Sequence, residues 1–112
     1  MLMLQIKFET KFGLSSAKLN SILELWSKSQ NSSLKKTFLK SKNAPHWHIS
    51  KDGTIEVTSF KKKRILLVAV RKNREGKLAG KSCRKLAYFL QNKLNLQIFK
   101  ENRRERYRCT DW

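Results

Sequence analysis

The hexapeptide ILLVAV (65–70) is apolar at every position and stands between Arg64 and Arg71. Successive side chains of a strand point to opposite faces, so a strand with one wet face alternates apolar and polar residues. A run apolar at both parities predicts a central strand with neighbours on either side and cover above and below. A chain of 112 residues, 39% of them hydrophobic, can build one small domain around such a strand.

The flanking sequence supplies the neighbours. TIEVTSF (54–60) reads as a strand with Ile55 and Val57 on one face and Thr54, Glu56 and Thr58 on the other. NREGKLAG turns the chain. KSCRKLAYFLQNKL (81–94) then predicts a helix with Ser82 as its cap and Cys83, Ala87, Leu90 and Leu94 as its core stripe. LQIF (96–99) is a short strand, KENR a turn, and RERYRCTDW a closing strand with Arg104, Arg106 and Arg108 on one face and Tyr107 and Cys109 on the other. Near the start, LMLQIKFET (2–10) alternates as a strand does. Ser15 and Ser16 offer N-caps to a helix carrying Leu19, Ile22, Leu23 and Trp26 at i, i+3, i+4 and i+7. Residues 27–45 are Ser/Lys-rich, end at the only proline and read as a loop with a helical turn at Leu34–Leu39.

The expected fold is therefore α+β: a twisted antiparallel sheet with a β-β-α-β-β core from about residue 54, packed on helices. Residues 1–44 form an N-terminal strand, helix and loop extension, and 45–112 a basic core. The alternative is an α-β-β-β-α module of the double-stranded-RNA-binding kind, running from Leu14 to Leu94.

Charge narrows the function. Lys and Arg number 26 against 8 Asp and Glu, a net charge of +18. A small domain this basic repels itself unless counter-charge surrounds it, which points to a polyanion, nucleic acid before an anionic membrane. The basic runs FKKKR (60–64), RKNRE (71–75) and ENRRERYR (101–108) fall at strand ends. Lys61, Lys62, Lys63, Arg64, Arg71, Lys72, Arg74, Lys81, Arg103, Arg104, Arg106 and Arg108 are the expected phosphate contacts. Trp47, Tyr107 and Trp112 could stack on unpaired bases or pack in a core. No stretch is apolar for long enough to span a membrane, and MLMLQI is short for a signal-peptide core. Two cysteines, Cys83 and Cys109, make no disulfide framework and fit a reducing compartment.

Three motifs invite chemistry. GKLAGKS (76–82) has three residues between its glycines where a phosphate loop requires four, so it reads as a basic helix start. His46 and His48 flank Trp47, and both cysteines lie far downstream. Zinc ligands usually come in close pairs of other spacing, so the histidines are expected to line a strand edge or touch phosphate, and no metal is assigned. Asp52–Gly53 between two alternating runs is the signature of a hairpin turn.

The order of these pieces from Pro45 to Trp112 resembles one half of a LAGLIDADG homing endonuclease. In that family a motif-bearing helix ends in an acid–glycine pair and runs into two strands. A helix, two strands and further helices follow, and the strands form a saddle on DNA. KDGTIEV is similar to the acid–glycine exit and first strand, RILLVAVRKN to the second strand, and CRKLAYFLQNKLNLQIFKENRRERYRCTDW to the helix, hairpin and fourth strand. The resemblance implies that Asp52 corresponds to a magnesium-binding acid. The family's helix, however, needs small residues for two such helices to bring two acids together, and APHWHISK offers proline, tryptophan and two histidines there.

The expectation is thus a non-catalytic, structural RNA-binding protein with no catalytic residue and no cofactor, Asp52 being vestigial. Ribosomal RNA and neighbouring ribosomal proteins are its expected partners, with no membrane and no small-molecule substrate. An organellar (mitochondrial) ribosome is the expected setting, with an organelle-encoded chain as one origin and the cytoplasm otherwise. The alternatives are an active homing endonuclease or intron maturase, dimeric and using magnesium through Asp52, and a double-stranded-RNA-binding module that contacts phosphate through Lys77, Lys81, Arg84 and Lys85.

Overall fold

The all-apolar hexapeptide lies within an eleven-residue strand, β5 (Ile65–Glu75), in the interior of a six-stranded antiparallel sheet. In chain order the elements are β1 (Leu2–Glu9), α1 (Ser16–Ser29), β2 (Ser33–Leu39), β3 (Ala44–Ser50), β4 (Gly53–Phe60), β5, α2 (Ala79–Leu94) and β6 (Gln97–Asn102). The strands are ordered β2-β3-β4-β5-β1-β6. This computed structural model describes residues 2–10, 14–40, 43–51, 53–60, 62–75, 79–94 and 97–102.

Both helices share one face of the sheet, and the sequence pattern shows why. On α1, Leu19, Leu23 and Trp26 recur at helical spacing and are buried. On α2, Cys83, Leu86, Ala87 and Leu90 do the same. They pack on the odd residues of β3 and β4 (Trp47, Ile49, Ile55, Val57) and the even residues of β1 and β5 (Ile6, Phe8, Leu66, Val68). The Trp47 indole, fully buried, donates to Asn20 Oδ1 at 2.9 Å and so ties β3 to α1. Of the two roles open to Trp47 it fills the core one. Tyr107 and Trp112 lie outside the described residues.

The opposite parity of β5 is buried as well. Leu67 and Ala69 join Ala44 and Phe60 in a second, smaller cluster, with Ile65 packed against it. Both faces of the hexapeptide are therefore covered, as its composition requires.

Local signals set the helix ends and turns. Ser15 Oγ accepts from the Lys18 backbone N–H at 3.3 Å, capping α1. Asn31 follows the C-cap with φ 53°, a left-handed conformation that asparagine tolerates. The Lys51 ammonium donates to the Gln30 carbonyl at 2.9 Å, placing positive charge at the helix's negative end.

Several expectations need correction. Residues 27–45 are not a loop: α1 runs on to Ser29, Leu34–Leu39 lies in the strand β2 rather than in a helical turn, and β3 begins at Ala44. β2 is an edge strand, where exposed lysines such as Lys35 and Lys36 discourage pairing with other chains, so its polarity is the mark of an edge. KENR does not turn, because β6 continues to Asn102, which pairs with Gln5. Asn73, Arg74 and Glu75 belong to β5, and α2 begins at Ala79, so Ser82 lies inside the helix rather than capping it. Four strands, not three, separate the helices, unlike the double-stranded-RNA-binding order.

Candidate functional site

The face of the sheet away from the helices carries a polar row. Cross-strand partners at one level read Lys35, His48, Glu56, Ala69 and Gln5, and at the next level Thr37, His46, Thr58, Leu67 and Lys7. Each chain of partners lies on one face because opposed residues of an antiparallel pair point the same way.

The β3–β4 hairpin creates the densest part of this row. Ser50 pairs with Thr54, and the same register sets His48 opposite Glu56 and His46 opposite Thr58. Gly53, with φ 97°, sits where a left-handed residue closes a short hairpin connection. The Asp-Gly signal thus marks a real hairpin, with three residues between the paired Ser50 and Thr54. Asp52 itself lies outside the described residues.

Three donor atoms converge there. His46 Nε2 lies 2.8 Å from His48 Nε2 and 3.0 Å from Glu56 Oε1, and His48 Nε2 lies 3.7 Å from the same oxygen. The rings of His46 and His48 meet edge to face at 4.7 Å. The other nitrogen of His46, Nδ1, is 2.6 Å from Thr58 Oγ1. The side chains of His46 and Glu56 are 3% and 6% exposed, whereas that of His48 is 24% exposed, so the cluster is buried but opens on one side. Such a cluster can share a proton or hold a cation between its lone pairs.

Of the two roles expected for His46 and His48, lining a strand edge or touching phosphate, the first does not hold: β3 is flanked by β2 and β4, and the histidines meet the Glu56 carboxylate. That reading overlooked Glu56. The signal was present: an H-x-H pair on one strand face, a hairpin turn, and an acid on the polar face of the returning strand.

The basic residues are divided between two ends of the sheet. Lys62, Lys63 and Arg64 are exposed in the β4–β5 turn. Arg71, Lys72 and Arg74 lie on the final stretch of β5, near the start of α2, where Lys81 is exposed. At about 3.3 Å per residue the two ends of β5 are some 30 Å apart. Lys61, Arg103, Arg104, Arg106 and Arg108 lie outside the described residues, as does Lys77; Lys85 is exposed and Arg84 half-buried on α2. Further exposed lysines lie on α1 (Lys18, Lys28), on β2 (Lys35, Lys36) and at Lys93. No described helix is long and apolar enough to cross a membrane.

What fold and site together define is an antiparallel α+β domain, helices on one face and a histidine–carboxylate cluster on the other. Comparison with protein-family models, curated proteins and solved structures gives no match.

Proposed function

We propose that this is a non-catalytic, structural RNA-binding domain that works embedded in a ribonucleoprotein, with ribosomal RNA of an organellar ribosome as its ligand. The observation that carries the reading is the net charge of +18 together with where its described part sits: exposed cations in the β4–β5 turn (Lys62, Lys63, Arg64), at Lys51 in the β3–β4 connection at the other end of the sheet, on both helices and on the β2 edge. An enzyme that acts on a duplex concentrates its cations along one groove. A protein surrounded by folded RNA needs them on several sides, because each side meets phosphate.

The test is to purify the tagged chain from its native cells at moderate salt and identify what accompanies it. Ribosomal RNA with a full set of ribosomal proteins is the expected result. A free protein that nicks duplex DNA with magnesium, and loses that activity on Asp52→Asn, would replace this reading with the endonuclease one.

A further inference from the structure

We infer that His46, His48 and Glu56 bind a divalent first-row transition metal, zinc being the best fit, which stitches β3 to β4 and keeps a coordination position open past His48. Two imidazoles and a carboxylate form a donor set used for zinc and for other borderline divalent ions. With metal–nitrogen bonds of about 2.0–2.1 Å, two ligand atoms of a tetrahedral site stand roughly 3.3 Å apart. The separations here, 2.8, 3.0 and 3.7 Å, bracket that value.

The three donor atoms converge on one point between the two strands. A cation at their centre serves all three. The Thr58 hydroxyl at 2.6 Å from His46 Nδ1 is the kind of outer partner that metal-binding histidines use: when Nδ1–H donates to Thr58 Oγ1, His46 Nε2 presents a bare lone pair to the ion. The fold supplies this placement without strain, since residues i and i+2 of a strand share a face and the hairpin register delivers Glu56 and Thr58 opposite them.

The surroundings suit an exchangeable ion. Three protein ligands leave a fourth position, and the partial exposure of His48 gives it a route to solvent. Lys35, opposite His48 on β2, is the nearest described cation by register, and it is exposed, so it can keep its ammonium in water. Cys83 is in the core of the opposite face and is not a ligand. The inference is independent of what the basic surface binds.

The experiment uses the untagged full-length chain, stripped of metal and titrated with zinc by calorimetry and with cobalt(II) by visible absorption. One equivalent of either ion is expected, with the intense d–d bands of a low-coordinate cobalt site. Thr58→Val should weaken binding about 10- to 100-fold. His48→Ala and Glu56→Gln should weaken it further while the far-UV spectrum keeps its native shape. His48 is the safer of these two positions, being part-exposed. Absence of a saturable cobalt spectrum would overturn the assignment. So would a folded His48→Ala variant that binds as tightly as the parent.

Discussion

Two residues sit where the fold does not favour them, and each makes a prediction at its own scale. Gln5 is 1% exposed in the middle of β1, and its amide has no hydrogen-bond partner among the described residues. Burying an unsatisfied amide costs about 1–3 kcal/mol, and leucine has nearly the same volume. Gln5→Leu should therefore raise the unfolding free energy by about 1–2 kcal/mol, read as a shift in urea midpoint at constant slope. A loss of stability would show that the amide is satisfied in solution. Arg64 closes the β4–β5 turn with φ 54°, a left-handed conformation that costs a residue with a Cβ about 1–2 kcal/mol. Its carbonyl accepts from the Thr10 backbone N–H at 2.8 Å, so the main chain is held in place whatever the side chain. Arg64→Gly removes the clash but gives the unfolded chain more freedom, for a net gain of about 0.5–1 kcal/mol. Arg64→Val should be destabilising, since branching at Cβ worsens the clash. A glycine variant no more stable than valine in the same denaturation assay would contradict the backbone argument. Neither position announces itself in the sequence: Gln5 fits an ordinary alternating strand, and Arg64 is one more residue of a basic run.

At the scale of elements, the strongly periodic segments were legible and the polar ones were not. Both helices and the strands at 2–10, 54–60 and 64–71 declare themselves because burial forces apolar residues onto a face at a fixed period. β2 does not, because an edge strand needs to bury little, and SLKKTFL therefore reads like a surface loop. The candidate site was legible in pieces: the hairpin, the histidine pair and the polar face of β4 can each be read alone. Only the register joins them, and register is a long-range property that the local pattern leaves open. The same logic predicts how the chain tolerates cutting. β1 lies between β5 and β6, and α1 contributes Leu19, Leu23 and Trp26 to the core shared with α2. A fragment of residues 45–112 would expose the β5 backbone edge that β1 pairs with and the core around Trp47 that α1 closes. It is expected not to fold alone, giving narrow amide dispersion by NMR, and to regain dispersion when mixed with a peptide of residues 1–44. A well-dispersed spectrum from 45–112 by itself would make the first 44 residues an extension after all.

At the scale of the whole molecule, the decisive quantity is the separation of like charges along β5. If the domain bound phosphate through one end of the sheet alone, only that end's cations would matter. An embedded domain should use both ends, and the two contributions should be independent because their sites are too far apart to contact the same phosphate. Replacing Lys62, Lys63 and Arg64 with serine tests one end; replacing Arg71, Lys72 and Arg74 tests the other. Each set is expected to weaken binding to structured RNA. Each should also flatten the dependence of log K on log salt, by nearly one unit on a duplex for every phosphate left without its cation. The combined variant should show the sum of the two free-energy losses. If the parent neutralises about six phosphates, the slope should lie near −5 on a duplex and near −4 on a single strand. A parent slope close to zero would remove the electrostatic basis of the reading. If one set accounted for the whole effect and the other for none, the domain would bind through a single surface, and the groove-like arrangement of a DNA-acting protein would become the better description. Neither set touches His46, His48 or Glu56, so metal uptake by the same variants should stay at one equivalent. That invariance separates the chemistry of the buried cluster from the charge of the surface around it.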